Sequence, residues 1–369
     1  MHIGMPVEEI ETPALLIDLD TMEKNIETMA SYYRGKKGAA LRPHQKGHRL
    51  PQIARKQVAA GAVGVSMTSP GLAELYVNSG IDDILITREV YGRSQIARLC
   101  GLARHGAITL TVDDVSNARQ ISEIGRSLGT RVNVAVEVYA LTGSCGVPID
   151  DVGAFVGEIS KLDGIHFRGL WWHELMLSGP LLKRRADHFA FLDQIVELKE
   201  SIEESGFGIE MLSGGHSATW NITPEYGGLK DVGVQAGNYV FSDWKDREVE
   251  GLEVFESSLT VLTRCISRPR PDEALFDAGL NSCANESGTD YSQIVGPRFK
   301  NLTGIDRVRL REEMASINCK NASSEIRTGD LYELIPPHGD TTAKMHDRYY
   351  GIRNGMVEVI WPNLGRGLL

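Results

Sequence analysis

Between Ala39 and about Tyr239, short apolar stretches alternate with longer segments in which apolar residues recur every three or four positions. The short stretches have the length of buried strands, and the longer ones have the spacing of a helix that buries one face. The predicted strands are Ala39–Arg42, Val63–Thr68, Ile84–Thr87, Ile108–Val112, Val132–Val138, Phe167–His173, Gly208–Leu212 and Val232–Tyr239. The predicted helices between them include Leu50–Ala60, Gly71–Ser79, Ser94–Arg104, Val115–Leu128 and Arg184–Ser205.

This alternation predicts an α/β fold with parallel strands, because each helix crosses over a face of the sheet. Eight strand–helix units favour a closed, TIM-like (β/α)8 barrel, in which the loops that follow the strands carry the chemistry. An open doubly wound sheet is the alternative. It is disfavoured because no convincing GxGxxG sequence follows the first strand.

After about Ser242 the pattern changes to short β-like stretches separated by polar or glycine turns. It predicts a second, mostly antiparallel β domain, and the amino-terminal stretch Pro13–Asp18 is a candidate strand of it. We therefore divide the chain into a barrel over residues 20–245 and a β domain over residues 1–19 and 246–369. The segment Asn285–Ile305 is interpreted as loop. The other predicted strands of this domain are Leu252–Arg264, Glu273–Asp277, Thr328–Ile335 and Met356–Trp361.

Composition argues against several classes of partner. The 369-residue chain carries a formal net charge of −10, which would repel nucleic acid. Its apolar runs are too short to span a bilayer, and its amino terminus lacks the basic start and apolar core of a signal peptide. Its five cysteines show no paired spacing. We expect a cytoplasmic protein with neither nucleic-acid nor membrane partners.

The stretch RPHQKGH, from Arg42 to His48, follows the first predicted barrel strand and places Lys46 between two histidines. A partly desolvated lysine beside other cationic groups loses its proton readily and can form a Schiff base. His44 and His48 could supply that setting. A hydrated surface lysine in a loop is the competing interpretation.

Glycine-containing turns follow the last two predicted barrel strands. Ser213-Gly214-Gly215-His216-Ser217 comes after the seventh, and Gly237-Asn238-Tyr239 closes the eighth. Barrel enzymes commonly bind phosphate in these two loops, where glycine lets backbone N–H groups approach an oxyanion. Turns need glycine for other reasons. Together with a lysine after strand one, however, the two turns suit a pyridoxal phosphate (PLP) pocket.

A third candidate site lies far downstream, in Pro336-Pro337-His338-Gly339-Asp340. Residues two apart in an extended segment point to the same side, so His338 and Asp340 could share a divalent cation such as Mn²⁺, Zn²⁺ or Mg²⁺. Two protein ligands would leave open positions for water and substrate. A polar turn after the two prolines is the competing interpretation.

Five segments in the same order resemble the D-threonine aldolase / D-serine dehydratase family. They are RPHQKGH, the Gly-Gly turn, Val234–Tyr239, Asp277–Leu280, and Pro337–Thr341 followed by His346-Asp347. The resemblance extends from Thr12 to Trp361 and implies an alanine-racemase-like barrel, a β domain and a PLP cofactor. It implies that Lys46 is the Schiff-base lysine, that His44 lies at the cofactor, and that His338 and Asp340 bind the metal. The residues implied to hold the cofactor phosphate are Gly214, Gly215, His216, Ser217, Gly237, Asn238 and Tyr239.

Two departures from the family pattern affect the expected chemistry. Many members have an arginine, facing the pyridine nitrogen, before the Cys-Gly-Val that follows strand five; here Ser144 takes that place. A hydroxyl there would leave the ring nitrogen neutral and weaken its pull on a carbanion. Aldolase members also have a histidine after strand six, kept here as His173, and a second one five residues later, where this chain has Ser178.

The resemblance implies a metal-assisted, PLP-dependent lyase that acts on a β-hydroxy D-amino acid, with Lys46 and His173 as catalytic residues. The leading hypothesis is a D-threonine aldolase-like cleavage to glycine and an aldehyde, because Asp340 stands where the dehydratases typically have cysteine. The missing second histidine favours the alternative, dehydration of a substrate such as D-serine or 3-hydroxy-D-aspartate, and racemisation is a further one. A non-catalytic PLP carrier would need neither the second domain nor the His338–Asp340 pair. We also expect a homodimer.

Overall fold

The structure is a computed structural model that describes residues 2–36, 38–140, 144–173, 179–287 and 294–368. These residues form two compact units. The barrel unit comprises the described residues of Met29–Lys46, Leu50–Gly237 and Leu368–Leu369, and the sheet unit comprises those of Met1–Thr28, Gly47–Arg49 and Asn238–Gly367. The chain passes between the two units after Thr28 and after Gly237, and Gly47–Arg49 belong to the sheet unit.

The helices and strands are numbered in chain order. The helices are α1 Leu19–Tyr33, α2 Pro51–Ala59, α3 Pro70–Val77, α4 Arg93–Leu102, α5 Val115–Ser127, α6 Val152–Ile159, α7 Leu181–Glu204 and α8 Gly339–Ala343. The strands are β1 Ala14–Asp18, β2 Ala39–Leu41, β3 Val65–Met67, β4 Asp83–Glu89, β5 Ala107–Val112, β6 Val132–Val138, β7 Ile165–Trp172, β8 Met211–Gly214, β9 Val232–Val234, β10 Leu259–Arg270, β11 Glu273–Phe276, β12 Glu286–Ser287, β13 Ile294–Val295, β14 Arg298–Phe299, β15 Arg309–Leu310, β16 Ala315–Asn318, β17 Leu331–Ile335, β18 Arg348–Arg353 and β19 Met356–Pro362.

The barrel unit contains one parallel sheet of eight strands in the order β2-β9-β8-β7-β6-β5-β4-β3. Its two ends are joined by backbone hydrogen bonds. Leu41 O accepts from Val63 N at 2.9 Å, Pro43 O accepts from Ser66 N at 3.1 Å, and Gln45 N donates to Ser66 O at 2.8 Å. These bonds close the ring, so the predicted α/β barrel is confirmed.

The helices α3 and α5, which connect consecutive barrel strands, each begin at a residue whose side chain caps the helix. Ser69 Oγ accepts a hydrogen bond from Leu72 N at the start of α3, and Pro70 occupies the first turn, where no N–H is required. Asp114 Oδ1 accepts from Asn117 N at the start of α5. Each cap satisfies a backbone donor that the first turn of a helix would otherwise leave without a partner.

The barrel interior contains a buried cluster of Leu85, Ala135, Trp171 and Met211, which come from β4, β6, β7 and β8. Residues two apart on a strand point to the same side. Residues that follow these four by two positions, such as Glu137 after Ala135 and Ser213 after Met211, are therefore directed to the same side at the carboxyl ends of the strands. That end of the barrel is where the sequence places the candidate chemistry.

Two barrel strands differ from their predicted ranges by three residues or more at one end. The seventh, predicted as Gly208–Leu212, is β8 and begins at Met211, so Ser213 and Gly214 lie in the strand rather than after it. The eighth, predicted through Tyr239, is β9 and ends at Val234, and Asn238–Val240 form a 3-10 helix. The apolar pattern continues beyond β9 because Ala236 and Tyr239 are buried in this turn instead of in the sheet.

The sheet unit contains a mostly antiparallel sheet in the order β15-β16-β11-β10-β1-β18-β19, to which β17 and β14 are added through β10. The amino-terminal strand β1 lies inside this sheet, as the sequence predicts. It pairs antiparallel with β10, with Leu15 opposite Val261, and parallel with β18, with Leu16 opposite Tyr350. Leu16 and Tyr350 belong to the buried apolar cluster of this unit, together with Ile10 and Val357.

Other predictions for this unit are partly wrong. The segment Asn285–Ile305, predicted as loop, contains β12, β13 and β14 in its described residues, each of two residues and therefore too short to show a period of two. The strand predicted over Leu252–Arg264 begins only at Leu259, because Leu252 and Phe255 are buried in turns.

A buried ion-pair network joins three polar side chains of the barrel unit. Arg42 Nη1 lies 2.6 Å from Asp83 Oδ1, and Arg168 Nη2 lies 2.8 Å from Asp83 Oδ2. Arg168 Nη1 also donates to Thr109 Oγ1 at 2.8 Å. Burial alone would raise the pKa of Asp83, but the two guanidinium groups hold that pKa below its ordinary value. The carboxylate therefore stabilises the fold in its ionised form.

We expect Asp83→Asn to lower the free energy of unfolding by about 2–3 kcal/mol, because the buried guanidinium group of Arg42 and the partly buried one of Arg168 lose their counterion. Since the folded pKa is depressed, the contribution is present above the unfolded pKa of about 4 and is lost as the pH falls below it. Urea denaturation at pH 7 measures the change, with the exposed neighbour Asp82→Asn as the control. Equal stabilities of the two variants would contradict the prediction.

Candidate active site

Three predicted site residues converge at the carboxyl end of the barrel. Lys46 lies in the turn after β2, His173 directly follows β7, and His216 follows β8. The rings of His173 and His216 have their centroids 6.3 Å apart, and the positive charge of Lys46 reaches His216. We call these three residues the nitrogen cluster. Their chemistry, a primary amine beside two imidazoles, suits a ligand that carries both a carbonyl group and negative charge.

His216 is held in its neutral form. Burial lowers the pKa of His216 to about 4, and His173 and Lys46 add to the shift. Its Nδ1 accepts a hydrogen bond from Ala218 N at 3.2 Å, and its own backbone N–H donates to Thr219 Oγ1 at 2.9 Å. Because Nδ1 is the acceptor, the ring proton of the neutral form is on Nε2.

We expect His216→Gln to reduce the acid sensitivity of the cofactor-free protein. A histidine with a depressed folded pKa favours folding above its unfolded pKa of about 6.5, and this contribution is lost as the pH falls towards 4. The difference in free energy of unfolding between pH 7 and pH 4.5 should therefore be smaller in the variant, as measured by urea denaturation. The matched control is His105→Gln, at an exposed position. An unchanged difference would contradict the prediction.

The turn that carries Lys46 is held by His44. Lys46 N donates to His44 Nδ1 at 3.2 Å, and His44 Nε2 lies 3.0 Å from Thr87 Oγ1. Since Nδ1 is an acceptor, neutral His44 donates from Nε2 to the threonine, whose hydroxyl in turn donates to Met67 O at 3.3 Å. The side chain of Lys46 is exposed.

Glycine is required at the predicted positions for different local reasons. A Cβ at Gly214 would lie 2.1 Å from the indole of Trp172, so packing alone requires glycine there. Gly215 has φ of +84°, which favours glycine in the turn after β8. A Cβ at Gly237 would lie 2.3 Å from His44 O, so this glycine lets the turn after β9 approach the turn that carries Lys46. Ser217 is buried at the start of a 3-10 helix.

A second group of side chains at the same end of the barrel was not predicted. Glu89 ends β4, Asp113 follows β5, Glu137 lies near the end of β6, and Cys145 is in the next loop. One carboxylate oxygen from each of Glu89 and Asp113 and the Sγ atom of Cys145 lie within 4.8 Å of one another. We call these four residues the acidic cluster. The signal was available, because each carboxylate lies at the carboxyl end of a predicted barrel strand.

The acidic cluster holds a proton. Glu137 is 4% exposed, and burial raises its pKa to about 9, with a hydrogen bond to Glu89 and the charge of that residue adding to the shift. Burial and the charge of Glu89 also raise the pKa of Asp113, whose Oδ2 accepts from Gly146 N at 3.3 Å. Glu137 is therefore protonated at neutral pH, and we call Glu137 and its hydrogen-bond partner Glu89 the carboxyl pair.

Ser144 lies beside the acidic cluster. Its hydroxyl donates to the carbonyl of Cys145 at 3.1 Å, which is the turn-capping role that serine often takes. Ser178 falls outside the described residues, so its place relative to His173 has no structural account.

In the sheet unit, His338 and Asp340 flank the start of α8. His338 Nδ1 accepts from Thr341 N at 3.3 Å and lies 2.7 Å from Thr341 Oγ1. The histidine thus caps α8, and its Nε2 can bind a cation only if Nδ1 carries the proton and donates it to the threonine hydroxyl. Asp340 is 5% exposed, and a Cβ at Gly47 would lie 3.1 Å from its Oδ1. An imidazole and a buried carboxylate two residues apart fit a divalent cation.

Asp243 fixes the turn between these two residues. Its Oδ2 accepts from Gly339 N at 2.9 Å and from Asn238 Nδ2 at 2.8 Å. A Cβ at Gly339 would lie 2.7 Å from Asp243 Oδ1, so glycine is required there. Asn238 also donates to Asp246, and the predicted cofactor residue is thus part of a buried carboxylate network.

Several residues that carry the family resemblance have structural partners. Asp277 Oδ1 accepts from Thr263 Oγ1 at 2.8 Å and from Arg264 N at 2.9 Å. His346 Nε2 lies 2.7 Å from Ser282 O, and burial lowers its pKa. These residues hold strands and turns of the sheet unit together.

None of the helices in the described parts of the chain has the length and apolar character needed to cross a membrane.

Two family models match the chain. The model described as "Alanine racemase, N-terminal domain" matches residues 17–232, and the one described as "Putative serine dehydratase domain" matches residues 258–352. The first covers most of the barrel unit, and the second covers much of the sheet unit.

Individual relatives match over nearly their full lengths. The chain is 32% identical to D-threonine aldolase from Arthrobacter sp., over 99% of this chain and 95% of the relative. It is 30% identical to 3-hydroxy-D-aspartate aldolase from Paracoccus denitrificans (strain Pd 1222), over 99% of this chain and 94% of the relative. The crystal structure of D-threonine aldolase from Filomicrobium marinum superposes with a TM-score of 0.92 at 30% identity, over 100% of this chain and 99% of that one.

Proposed function

Because the chain belongs to the alanine racemase N-terminal domain family and is a PLP-dependent lyase akin to the D-threonine aldolases, we propose that it cleaves a β-hydroxy D-amino acid to glycine and an aldehyde. The family resemblance inferred from the sequence is thereby confirmed. The observation that carries the proposal is the nitrogen cluster, in which Lys46, His173 and His216 meet at the carboxyl end of the barrel. The function predicted from the sequence agrees with that of the aldolase relatives.

The barrel residues fit PLP. Lys46 supplies the primary amine that binds the cofactor aldehyde, and His44 fixes the backbone of the turn that carries it. We assign the phosphate to the turns after β8 and β9, where Gly215 and Gly237 permit close backbone approach. When bound, PLP supplies an electron sink for the electron pair that bond cleavage leaves on Cα. The full set assigned to the cofactor is His44, Lys46, Ser144, Gly214, Gly215, His216, Ser217, Gly237, Asn238 and Tyr239.

We assign proton transfer to His173. In the cleavage, a base removes the proton of the β-hydroxyl group, the Cα–Cβ bond breaks, and Cβ becomes the carbonyl carbon of the aldehyde. Cα then takes up a proton to give glycine. His173 follows β7 at the carboxyl end of the barrel, beside neutral His216, and imidazole is the side chain best suited to accept a proton near neutral pH.

We assign a divalent cation, Mn²⁺, Zn²⁺ or Mg²⁺, to His338 and Asp340. A nitrogen and an oxygen ligand suit these ions, and two protein ligands leave positions for oxygen atoms of water or substrate. When bound, such a cation supplies a Lewis acid that makes a hydroxyl group easier to deprotonate. Asp243 and Thr341 orient the two ligands through the hydrogen bonds described above.

Dehydration is the second candidate. It is favoured by the match of residues 258–352 to the serine dehydratase domain model. In that reaction the Cα proton is removed and hydroxide leaves Cβ, so that an oxo acid and ammonia are the final products.

The test is incubation of the purified protein with D- and L-forms of threonine, serine and 3-hydroxyaspartate, with separate assays for glycine, aldehyde and oxo acid. We expect glycine and aldehyde in equal amounts from a D-isomer, and no turnover of its L-isomer. Oxo acid and ammonia without glycine would establish dehydration instead. Racemised substrate alone would refute both.

The remaining assignments are a cytoplasmic location, a homodimer, and a small amino acid as the only class of partner. The net charge of −10 supports the exclusion of nucleic acid.

A further inference from the structure

We propose that the pyridine nitrogen of bound PLP is recognised by the carboxyl pair Glu89–Glu137 and is held protonated there. The inference rests on the proposed function, because it requires that the cofactor be attached to Lys46. It differs from the expectation drawn from Ser144, which is a neutral ring nitrogen.

The order of the strands places the carboxyl pair across the barrel from the lysine. Lys46 follows β2 and Glu137 lies at the end of β6, and in the closed ring β2-β9-β8-β7-β6-β5-β4-β3 these strands are four steps apart in either direction. Glu89 ends β4, two strands from β6. Lys46 and Glu137 therefore lie across the same barrel end from each other.

The positions of the aldehyde, the phosphate arm and the ring nitrogen on PLP match this arrangement of the strands. Its aldehyde carbon binds the lysine, and the ring nitrogen lies directly opposite the ring carbon that carries the aldehyde group. The phosphate arm is attached to the neighbouring ring carbon, and the turns assigned to it follow β9 and β8, which are one and two strands from β2 in the ring. With the aldehyde carbon at Lys46 and the phosphate at these turns, the ring nitrogen points towards β6.

Two polar atoms independently indicate that this side of the barrel receives a ligand. Trp171 is 2% exposed and packs in the barrel interior, and it lies in register with Glu137 on the neighbouring strand. Its indole N–H has no hydrogen-bond partner among the described residues, and neither has the buried Oε1 atom of Glu89. A buried donor and a buried acceptor without partners are costly, and a polar ligand between them removes that cost.

The protonation state of the pair fits a ring nitrogen. Glu137 is protonated at neutral pH, so it can donate a hydrogen bond to a ring nitrogen, and the contact becomes charge-assisted once the proton moves to the nitrogen. Ser144 cannot compensate in this way, because its hydroxyl carries no charge and already donates to Cys145 O.

The first test is ¹⁵N NMR of the holoenzyme reconstituted with PLP labelled at the ring nitrogen, with free cofactor at acid and alkaline pH as references. We expect the wild-type resonance at the protonated reference position at pH 7.5, and a shift towards the neutral position in Glu137→Gln and in Glu89→Gln. The matched control is Glu123→Gln, which alters a carboxylate on the exposed surface of α5, and Ser144→Ala tests the competing assignment of the ring nitrogen to Ser144. Both should keep the wild-type resonance.

The second test measures the affinity for the cofactor and does not depend on catalysis. The cofactor-free protein is titrated with PLP and with 1-deaza-PLP, in which C–H replaces the ring nitrogen. We expect the wild type to bind PLP about tenfold or more tightly than the analogue, the size of a charged hydrogen bond, and this preference to fall towards one in Glu137→Gln. Glu89→Gln, at a less buried position, provides the same comparison if Glu137→Gln does not fold.

The outcomes separate the two proposals. A neutral ring nitrogen on cofactor that is covalently bound at Lys46 would overturn this inference alone. So would an unchanged resonance in both glutamine variants, or a shift caused by Ser144→Ala instead. Failure of the wild type to attach PLP to Lys46 would overturn the proposed function as well.

Discussion

Replacement of Lys46 with alanine is expected to lower kcat/KM on the order of 10³-fold or more, because the side chain to which we assign covalent attachment of the cofactor is lost. The kcat/KM of the Lys46→Arg variant should be lower than that of the wild type by a similar factor. Arginine keeps the positive charge beside His216, but its guanidinium group does not form a stable bond to an aldehyde. The comparison of the two variants therefore separates covalent attachment from simple charge.

Borohydride reduction of the wild-type holoenzyme gives a readout that does not depend on turnover. The cofactor should be recovered on the peptide that contains Lys46, and the label should be absent from both variants. Lys56→Ala, at an exposed position on α2, is the control and should keep wild-type labelling and activity. Recovery of the label on another lysine in the wild type would refute the assignment.

The second large effect is expected on metal binding. Asp340→Asn keeps the shape of a buried side chain but removes its charge. The substitution should weaken the binding of Mn²⁺ by about 100-fold or more, because only His338 then remains of the two assigned ligands. Activity should fall in parallel and recover in part at high metal concentration. Isothermal titration of the metal-free protein measures the affinity directly.

Chelation of the wild type provides the complementary experiment. Exhaustive removal of divalent cations should abolish turnover and leave the cofactor attached to Lys46. The matched control is Asp347→Asn, which alters an exposed carboxylate of the same segment that pairs with Arg366 and should leave metal affinity unchanged. Full activity after chelation, together with full activity of Asp340→Asn, would exclude a catalytic metal.

The barrel was predictable because its signal is repeated. Each strand–helix unit gives the same sequence of a short apolar stretch and an amphipathic one, so errors of two or three residues at single ends do not alter the topology. The largest error, at the end of β9, arises where the chain leaves the sheet for a buried turn. In such turns apolar residues no longer indicate a strand, and Tyr239 is an example.

The sheet unit was less predictable because its strands are short and pair with distant segments. β18 was missed, although it lies between β1 and β19, because its sequence RYYGIR has no clear alternation of apolar and polar residues. Burial there depends on neighbours on both sides, which a local pattern does not report. The two-residue strands in the predicted loop are below the length at which any period can be recognised.

At the candidate site, the sequence identified residues with recognisable motifs and missed those without one. The nitrogen cluster was found because RPHQKGH and the turn after β8 are distinctive. Glu89, Asp113 and Glu137 escaped notice because an isolated carboxylate after a strand is common. Only the folded sheet, in which β4, β5 and β6 are neighbours, brings these carboxyl groups together.

The place of β1 in the sheet unit has a consequence for the order of events during synthesis. All eight barrel strands have been made once the ribosome has passed Gly237, whereas β1, which leaves the ribosome first, pairs with β10 and β18 from the last third of the chain. Until Tyr350 emerges, the apolar side chains of Leu15, Leu16 and Ile17 lack one of their two neighbouring strands. The nascent chain thus carries an open, apolar strand edge for most of its elongation, and such edges are the sites at which incomplete chains associate. Ribosome-bound chains that stop short of β18 should therefore depend on chaperones far more than released, full-length protein does.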